Sequence, residues 1–280
     1  MSGAVFLVVL VAAAMHATWN ALIKDRADRF LTISTLGLAQ GMLALAATPF
    51  VAFPGAQSWA WIAASAALHV GYKHFLIRAY SAGELGQVYP LARGAAPLLS
   101  SFAAFALLHE TMSAFIWVGV VTLCAGIALM SAKGGAIAHL DRKAVGYALA
   151  TSVFIAGYTV VDALGARGAA SPSSYIVWMF AMDGCVMGLI YFGVRGGAGG
   201  EPLMRELPFA VMVAAISIGA YWLVIWAMTR APIGAVAALR ESSILFALAI
   251  SVFFLRERAS FWRLASAALI LAGVILMRIA

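Results

Sequence analysis

The stretch QVYPLARGAAP (87–97) sets Arg93 between Pro90 and Pro97, with apolar sequence on both sides. A guanidinium in apolar surroundings needs a partner or a task. Its planar fork can hold a carboxylate through two parallel hydrogen bonds, which lysine cannot reproduce. Tyr89, Arg93, Pro97 and Ser100 are three or four residues apart, so they share one helix face. The two prolines withdraw backbone donors and leave nearby carbonyls without intrahelical partners. At membrane depth such carbonyls are tolerated beside a watery cavity. Two readings follow: Arg93 grips an anionic ligand, or it reaches a polar rim or pairs with Glu84 or Glu241.

A second group of polar residues raises the same question. Arg240 and Glu241 in AALRESSILF stand in apolar sequence, and as neighbours on a helix they point about 100° apart. Two arginines at related sites would favour ligands with a carboxylate or phosphonate. Asp162 shares a face with Thr151, Ile155 and Tyr158, and with Glu241 and His69 it is a candidate proton-binding group. Asp183 is followed by Gly184, which points to close helix packing and a structural bond. In ALHVGYKHFLIRAY (67–80), His69, Tyr72, Lys73 and Tyr80 lie on one face, while Arg78 suits a polar rim. Asn20 and Trp19 near the start, and Tyr158, Trp178 and Trp222 further on, are candidate cavity walls; aromatics of this kind also form interfacial belts. The candidate binding set is therefore Arg93, Tyr89, Tyr72, His69, Tyr80, Asn20, Trp19, Tyr158, Trp178, Trp222 and Arg240. No nucleophile elbow, P-loop, HExxH or paired-cysteine metal motif occurs, so no enzyme chemistry, cofactor or metal is expected.

The elements that must position these groups follow from composition. The 280 residues are 64% hydrophobic and 10% charged, with mean hydropathy +0.99. Soluble domains carry about 25% charge, so this chain belongs in a bilayer. Breaks at Gly, Pro and charge clusters predict ten spans: 3–23, 31–53, 58–80, 86–108, 113–132, 144–164, 173–194, 207–229, 232–255 and 260–278. The first is read as a retained span, because no positive segment precedes it. The longest connection, 195–206, has the Gly and Pro content of a flexible loop. With no β-barrel alternation, the expected fold is an all-α membrane protein. Cys124 and Cys185 both fall within spans, which argues against a disulfide framework.

The halves repeat. LLHETMSAFIWVGVVTLCAGIALM (107–130) aligns with FLRERASFWRLASAALILAGVILM (254–277) at an offset of 147, which pairs Glu110 with Glu257, Gly126 with Gly273 and Arg93 with Arg240. HATWNAL (16–22) aligns with YTVVDAL (158–164) at an offset of 142, pairing Asn20 with Asp162. Five spans are an odd number, so the second repeat must be inverted, with ligand bound near the midplane between halves. The expected units are 1–133 and 143–280, joined by 134–142. Lys24, Arg26, Arg29, Arg78, Lys133, Arg142, Lys143, Arg195, Arg205, Arg256, Arg258 and Arg263 lie on one face, against Arg167, Arg230 and Arg278 on the other. The richer face should be cytoplasmic, placing both termini outside the inner membrane. A pI near 9.7 therefore reports topology, and no nucleic acid is implied.

FALLHE (105–110) and FFLRE (253–257), each followed by a span ending in AGIALM or AGVILM, resemble the EamA branch of the drug/metabolite transporter superfamily. HATWNALIK and GAYWLVIW are similar to segments of bacterial members assigned to amino-acid or metabolite export. The resemblance covers the whole chain. It implies ten helices in two inverted five-helix repeats, alternating access, and a small-molecule substrate, an amino acid or other carboxylate, with the bilayer as the other partner and no obligate protein partner. An exchanger of phosphorylated or phosphonate metabolites is the rival within transport. A scaffold or intramembrane enzyme is the rival outside it.

Overall fold

The computed structural model describes residues 1–24, 26, 28–82, 85–131, 141–254, 256 and 260–279; Glu84, Glu257 and the expected connection 134–142, apart from Asp141 and Arg142, lie outside them. Within this set the chain is helical, with no strand. The helices are α1 (Gly3–Ile23), α2 (Arg29–Ala47), α3 (Ala56–Ala82), α4 (Leu85–Leu108), α5 (Ala114–Ser131), α6 (Arg142–Gly168), α7 (Pro172–Arg195), α8 (Gly200–Met228), α9 (Ile233–Arg240), α10 (Ser243–Ala249) and α11 (Phe261–Ile279). Their starts are chemically specified. Ser2, Asp28, Asp141 and Ser171 each accept a backbone N–H in the first turn of α1, α2, α6 and α7, and Pro172 opens α7 where a missing N–H is harmless.

Eight spans among the described residues are long and apolar enough to cross a bilayer. The other two differ for separate reasons. Helix α3 has 27 residues but carries Lys73, His74 and Arg78, while α5 is strongly apolar but short. One expectation is corrected: 195–206 is not a flexible loop. Gly196 (φ 60°) ends α7, Gly197–Gly199 form a single 3₁₀ turn, and α8 begins at Gly200. Pro202 falls in the first turn of α8, where proline is accommodated. Glu201 and Arg205 pair one turn apart at 3.1 Å.

Contacts between helices exchange consistently between the halves. Helix α1 packs on α8 as α6 packs on α3, and α1 meets α9 and α10 as α6 meets α4. Helix α8 packs on α2 as α3 packs on α7, while α2–α7 and α5–α11 cross the boundary between halves. A further sign of repetition is local. Among the described residues, the non-glycine residues with positive φ are His109 (55°) and Arg256 (54°), separated by the same offset of 147 found in the sequence.

Where the halves cross, glycine lets backbones touch. A Cβ on Gly184 of α7 would lie 2.3 Å from Gly41 Cα of α2, and one on Gly273 of α11 would lie 2.6 Å from the Gly119 carbonyl of α5. This is the small-residue packing that membrane helices use in place of a hydrophobic driving force. Gly184→Leu should therefore separate α2 from α7 at a cost of about 1–3 kcal/mol or more. Gly193→Leu, with open space at the same kind of helical position, should be neutral. Thermal unfolding of both purified variants checks this; equal midpoints would refute the close-packing account.

Candidate functional site

The ninth span is broken at its centre. Helix α9 is buried along its whole length and stops at Arg240, and α10 starts at Ser243. Between them the backbone bonds shorten to a three-residue step: Glu241 N–H to Ala238 O, Ser242 to Leu239, Ile244 to Glu241 and Leu245 to Ser242. Neither Gly nor Pro marks the break, and such overwound segments recur at hinges. Its consequence is geometric. Released from regular helix spacing, Arg240 and Glu241 meet, although neighbours on an unbroken helix would diverge.

Glu241 is wholly buried and receives both arginines. Arg93 donates from Nε to Oε2 at 3.0 Å and from Nη2 to Oε1 at 2.8 Å, the bidentate fork geometry. Arg240 reaches the same Oε1 only at 3.3 Å from Nη2 and 3.4 Å from Nε. His16 of α1 stands 3.4 Å from Arg93 Nη2. The position of α4 is set by Ser152 of α6, which donates to the Ala92 carbonyl at 2.7 Å, and by Gly234 of α9, whose missing Cβ leaves room for Ser101. Of the alternatives for Arg93, the ion pair with Glu241 is present. The helix around Pro97 continues without interruption from Leu85 to Leu108.

Two further acids lie inside the bundle. Asp183 accepts both Lys73 contacts at 2.8 Å, so the lysine of α3 is neutralised by α7 within the bundle. Asp162 has no exposed surface. Its oxygens accept from Tyr175 Oη at 2.8 Å and from Tyr221 Oη, with no Lys or Arg against it among the described residues. Gly165 makes the first bond possible: a Cβ there would lie 2.2 Å from the Tyr175 ring. Tyr221 also packs edge-on to His69 and Phe180, and His69 stacks on Tyr158 with centroids 4.3 Å apart. His69 Nδ1 is held by Ser65 of its own helix.

The structure brings together Arg93, Arg240, Glu241 and His16 in one group, and His69, Tyr72, Tyr158 and Asp162 in another lined by aromatic rings. Asn20 bonds back to the His16 carbonyl at 2.8 Å. Trp19 meets His16 edge-on, and its indole N–H is buried without a partner among the described residues. Tyr80 packs with Ala79, Val88 and Ala144, away from these groups. Trp178 joins Phe53 and Trp59 in an aromatic cluster. Trp222 is 40% exposed and borders a cleft of about 170 Å³ among α2, α7 and α8. The Tyr89 side chain lies outside the described residues. Sequence reading passed over His16, although it stands one turn before Asn20. Tyr221 lies within GAYWLVIW without a signal that separates it from its aromatic neighbours, and Tyr175, one turn into α7, carries no spacing signal.

Among the described residues, apolar helices enclose charged side chains that are paired within the protein, as a multi-pass membrane protein requires. The profile of the EamA-like transporter family matches residues 142–279. A solved structure, titled only as the crystal structure of a protein, has the same fold: TM-score 0.79 and 17% identity, covering 99% of each chain. Curated proteins supplied no match. The chain belongs to the EamA-like transporters of the drug/metabolite transporter superfamily.

Removing Glu241 would leave two buried guanidiniums without their shared carboxylate, a change that costs about 3–5 kcal/mol in comparable buried pairs. Glu241→Ala should therefore unfold at markedly lower temperature than wild type. Arg93→Met with Glu241→Met should recover part of the loss. A double variant no more stable than Glu241→Ala would mean that the pair contributes nothing specific.

Proposed function

We propose that this transporter exports amino acids or related carboxylate-bearing metabolites by alternating access, and that Arg240 receives the substrate's anionic group. The observation that carries this reading is the unequal sharing of Glu241. Arg93 holds it at 2.8 and 3.0 Å, while Arg240 has only 3.3–3.4 Å contacts to an oxygen already taken. Among the described residues no second carboxylate reaches Arg240, which is 5% exposed. A guanidinium so placed gains most from an incoming carboxylate that it can grip with both arms. Arg93 then orients Glu241, and Glu241 orients Arg240. The neighbouring Ser242 hydroxyl, buried and without a partner among the described residues, is a further donor at the same point.

Asp162 is the proton carrier in this scheme. Its bonds come from two neutral phenols, so no fixed cation commits it to one charge state; Glu241, gripped by arginine, and His69, held by Ser65, are committed elsewhere. His69, Tyr72 and Tyr158 form an aromatic wall beside it. The two repeats, 1–133 and 143–280, rock about this centre, with 134–142 as the connection. The protein sits in the inner membrane with both termini outside, a reading that the excess of basic residues on the opposite face supports; a reporter at the C-terminus that is active only in the cytoplasm would reverse that orientation.

The test is flux and binding in proteoliposomes with labelled amino acids, their amides, phosphonates and sugar phosphates. Arg240→Lys should weaken binding of the free acid by roughly one to two decades, the worth of a charge-assisted bond of about 1.5–3 kcal/mol. Arg240→Ala should abolish preference for acid over amide. Wild-type affinity in a well-folded Arg240→Ala protein would remove Arg240 from the site, and tighter binding of phosphonates than of amino acids would change the substrate class. In the same vesicles Asp162→Asn should transport without regard to a pH gradient. Undiminished gradient dependence would exclude Asp162 as the carrier.

A further inference from the structure

At the end of the bundle away from Lys24, four chain segments converge on one arginine. Arg167, in the last turn of α6, donates from Nε and Nη2 to the Met228 carbonyl at 2.8 and 2.6 Å, and from Nη2 to the Ala231 carbonyl at 3.2 Å. These carbonyls close α8 and lie in its connection to α9. The remaining arm, Nη1, meets Glu110 Oε1 at 2.5 Å. The other oxygen of Glu110 accepts the Ile233 backbone N–H at 2.8 Å, the first donor of α9. Glu110 is presented by the turn after α4, where His109 takes positive φ and the Glu110 N–H reaches back to the Ala104 carbonyl. One ion pair thus ties the ends of α4, α6, α8 and α9. Arg167 side-chain exposure is 31% and that of Glu110 is 15%, so the clasp stands at a rim.

The clasp is mechanically joined to the bundle centre. Every residue of α9, from Ile233 to Arg240, is buried. Glu110 caps its first N–H, and its last residue is Arg240, beside Glu241. A helix of eight residues is about 12 Å long, so the two ends of this short rod are the rim clasp and the central charges. The overwound step that starts at Glu241 lies directly beyond it and runs into the first turn of α10, a joint about which α9 can turn relative to the rest of the ninth span.

We propose that Glu110 and Arg167 form the gate on this face, and that opening it repositions Arg240 and Glu241 through α9. Glu110 and Arg167 are positioning residues: they lie about two turns or more of helix from the central charges. The inference rests on transport by alternating access, and it does not require Arg240 to be the substrate ligand.

Two measurements on the full-length protein test it, in a background with Cys124 and Cys185 replaced by Ser. In the first, Ala235→Cys, a buried position on α9, is labelled in vesicles by a membrane-impermeant maleimide added from the Arg167 face. Glu110→Gln should raise the labelling rate by roughly tenfold or more, because losing a charge-assisted bond shifts the closed state by that factor. A clasp that merely stabilises the fold would lower the unfolding temperature and leave sided labelling unchanged, which would overturn the proposal. In the second, Glu110→Cys with Arg167→Cys is bridged by a short reducible bis-thiosulfonate. Bridging should stop transport, and reductant should restore it; full transport by the bridged protein would equally overturn the gate. Arrest by the bridge together with wild-type affinity in Arg240→Ala would sustain the gate and refute the substrate site. The converse pair of results would do the reverse.

Discussion

The architecture depends on one shared carboxylate. Two guanidinium groups sit near the middle of a bundle whose exterior is hydrocarbon, and a charge there is tolerable only if it is paired within the protein. Glu241 meets this demand for Arg93 through two bonds at 2.8 and 3.0 Å and for Arg240 through longer ones. Everything around it serves that meeting. The ninth span must break after Arg240 for two neighbouring residues to reach one point, and α4 must lie close enough for Arg93 to arrive from the other half. Gly234 against Ser101 provides that closeness, and Ser152 anchors the α4 carbonyl one residue before Arg93.

The same logic explains how the remaining charge is distributed. Lys73 would weaken α3 as a span, yet Asp183 of α7 takes it within the bundle at 2.8 Å, next to the Gly184–Gly41 crossing that brings α7 against α2. Asp162 differs in kind. It accepts hydroxyls contributed by α7 and α8, with no Lys or Arg paired to it among the described residues. Buried ion pairs contribute little net stability but penalise every arrangement that separates them. Lys73–Asp183 and Arg93–Glu241 thus act as registration points between helices, whereas Asp162 is held by hydroxyl groups.

Much of the fold was legible because hydrophobic length and repetition are one-dimensional signals. Ten spans follow from breaks in apolar sequence, and the offset of 147 that joins Glu110 to Glu257 returns as matching backbone turns at His109 and Arg256. The start of α8 was hidden, since GGAGGEPLMRE has loop composition while its Glu201–Arg205 spacing and early proline also suit a first turn. The site was legible in residue type and only partly in pairing. Arg93 with Glu241 was one of several pairings the sequence allowed, because depth along a helix is poorly fixed by composition. Arg240 with Glu241 was another, although neighbours on a regular helix point about 100° apart and the helix break is what lets them meet. Trp222 and Tyr221 show the limit of periodicity: they are adjacent, about 100° apart, and only the packing of α8 decides that the tyrosine faces Asp162 while the tryptophan faces outward.

The break in the ninth span also has a counterpart that is not its copy. The fourth span carries Pro97 inside its helix yet remains helical, whereas the ninth, with Pro232 only ahead of α9 and no proline at its break, is interrupted after Arg240. A proline in a helix removes one donor, but α4 runs unbroken through Pro97, so Arg93 keeps its place in the regular helical order. An overwound step shifts the angular position of all that follows, so Arg240 and Glu241 change direction relative to α10. Inverted repeats of equal topology therefore need not contribute equally at their shared centre. The half with the proline presents one cation from a continuous helix, and the half with the break supplies the carboxylate and the second cation from the end of a short one. That asymmetry puts two of the three charges at the C-terminal end of α9, the helix whose other end is capped by Glu110.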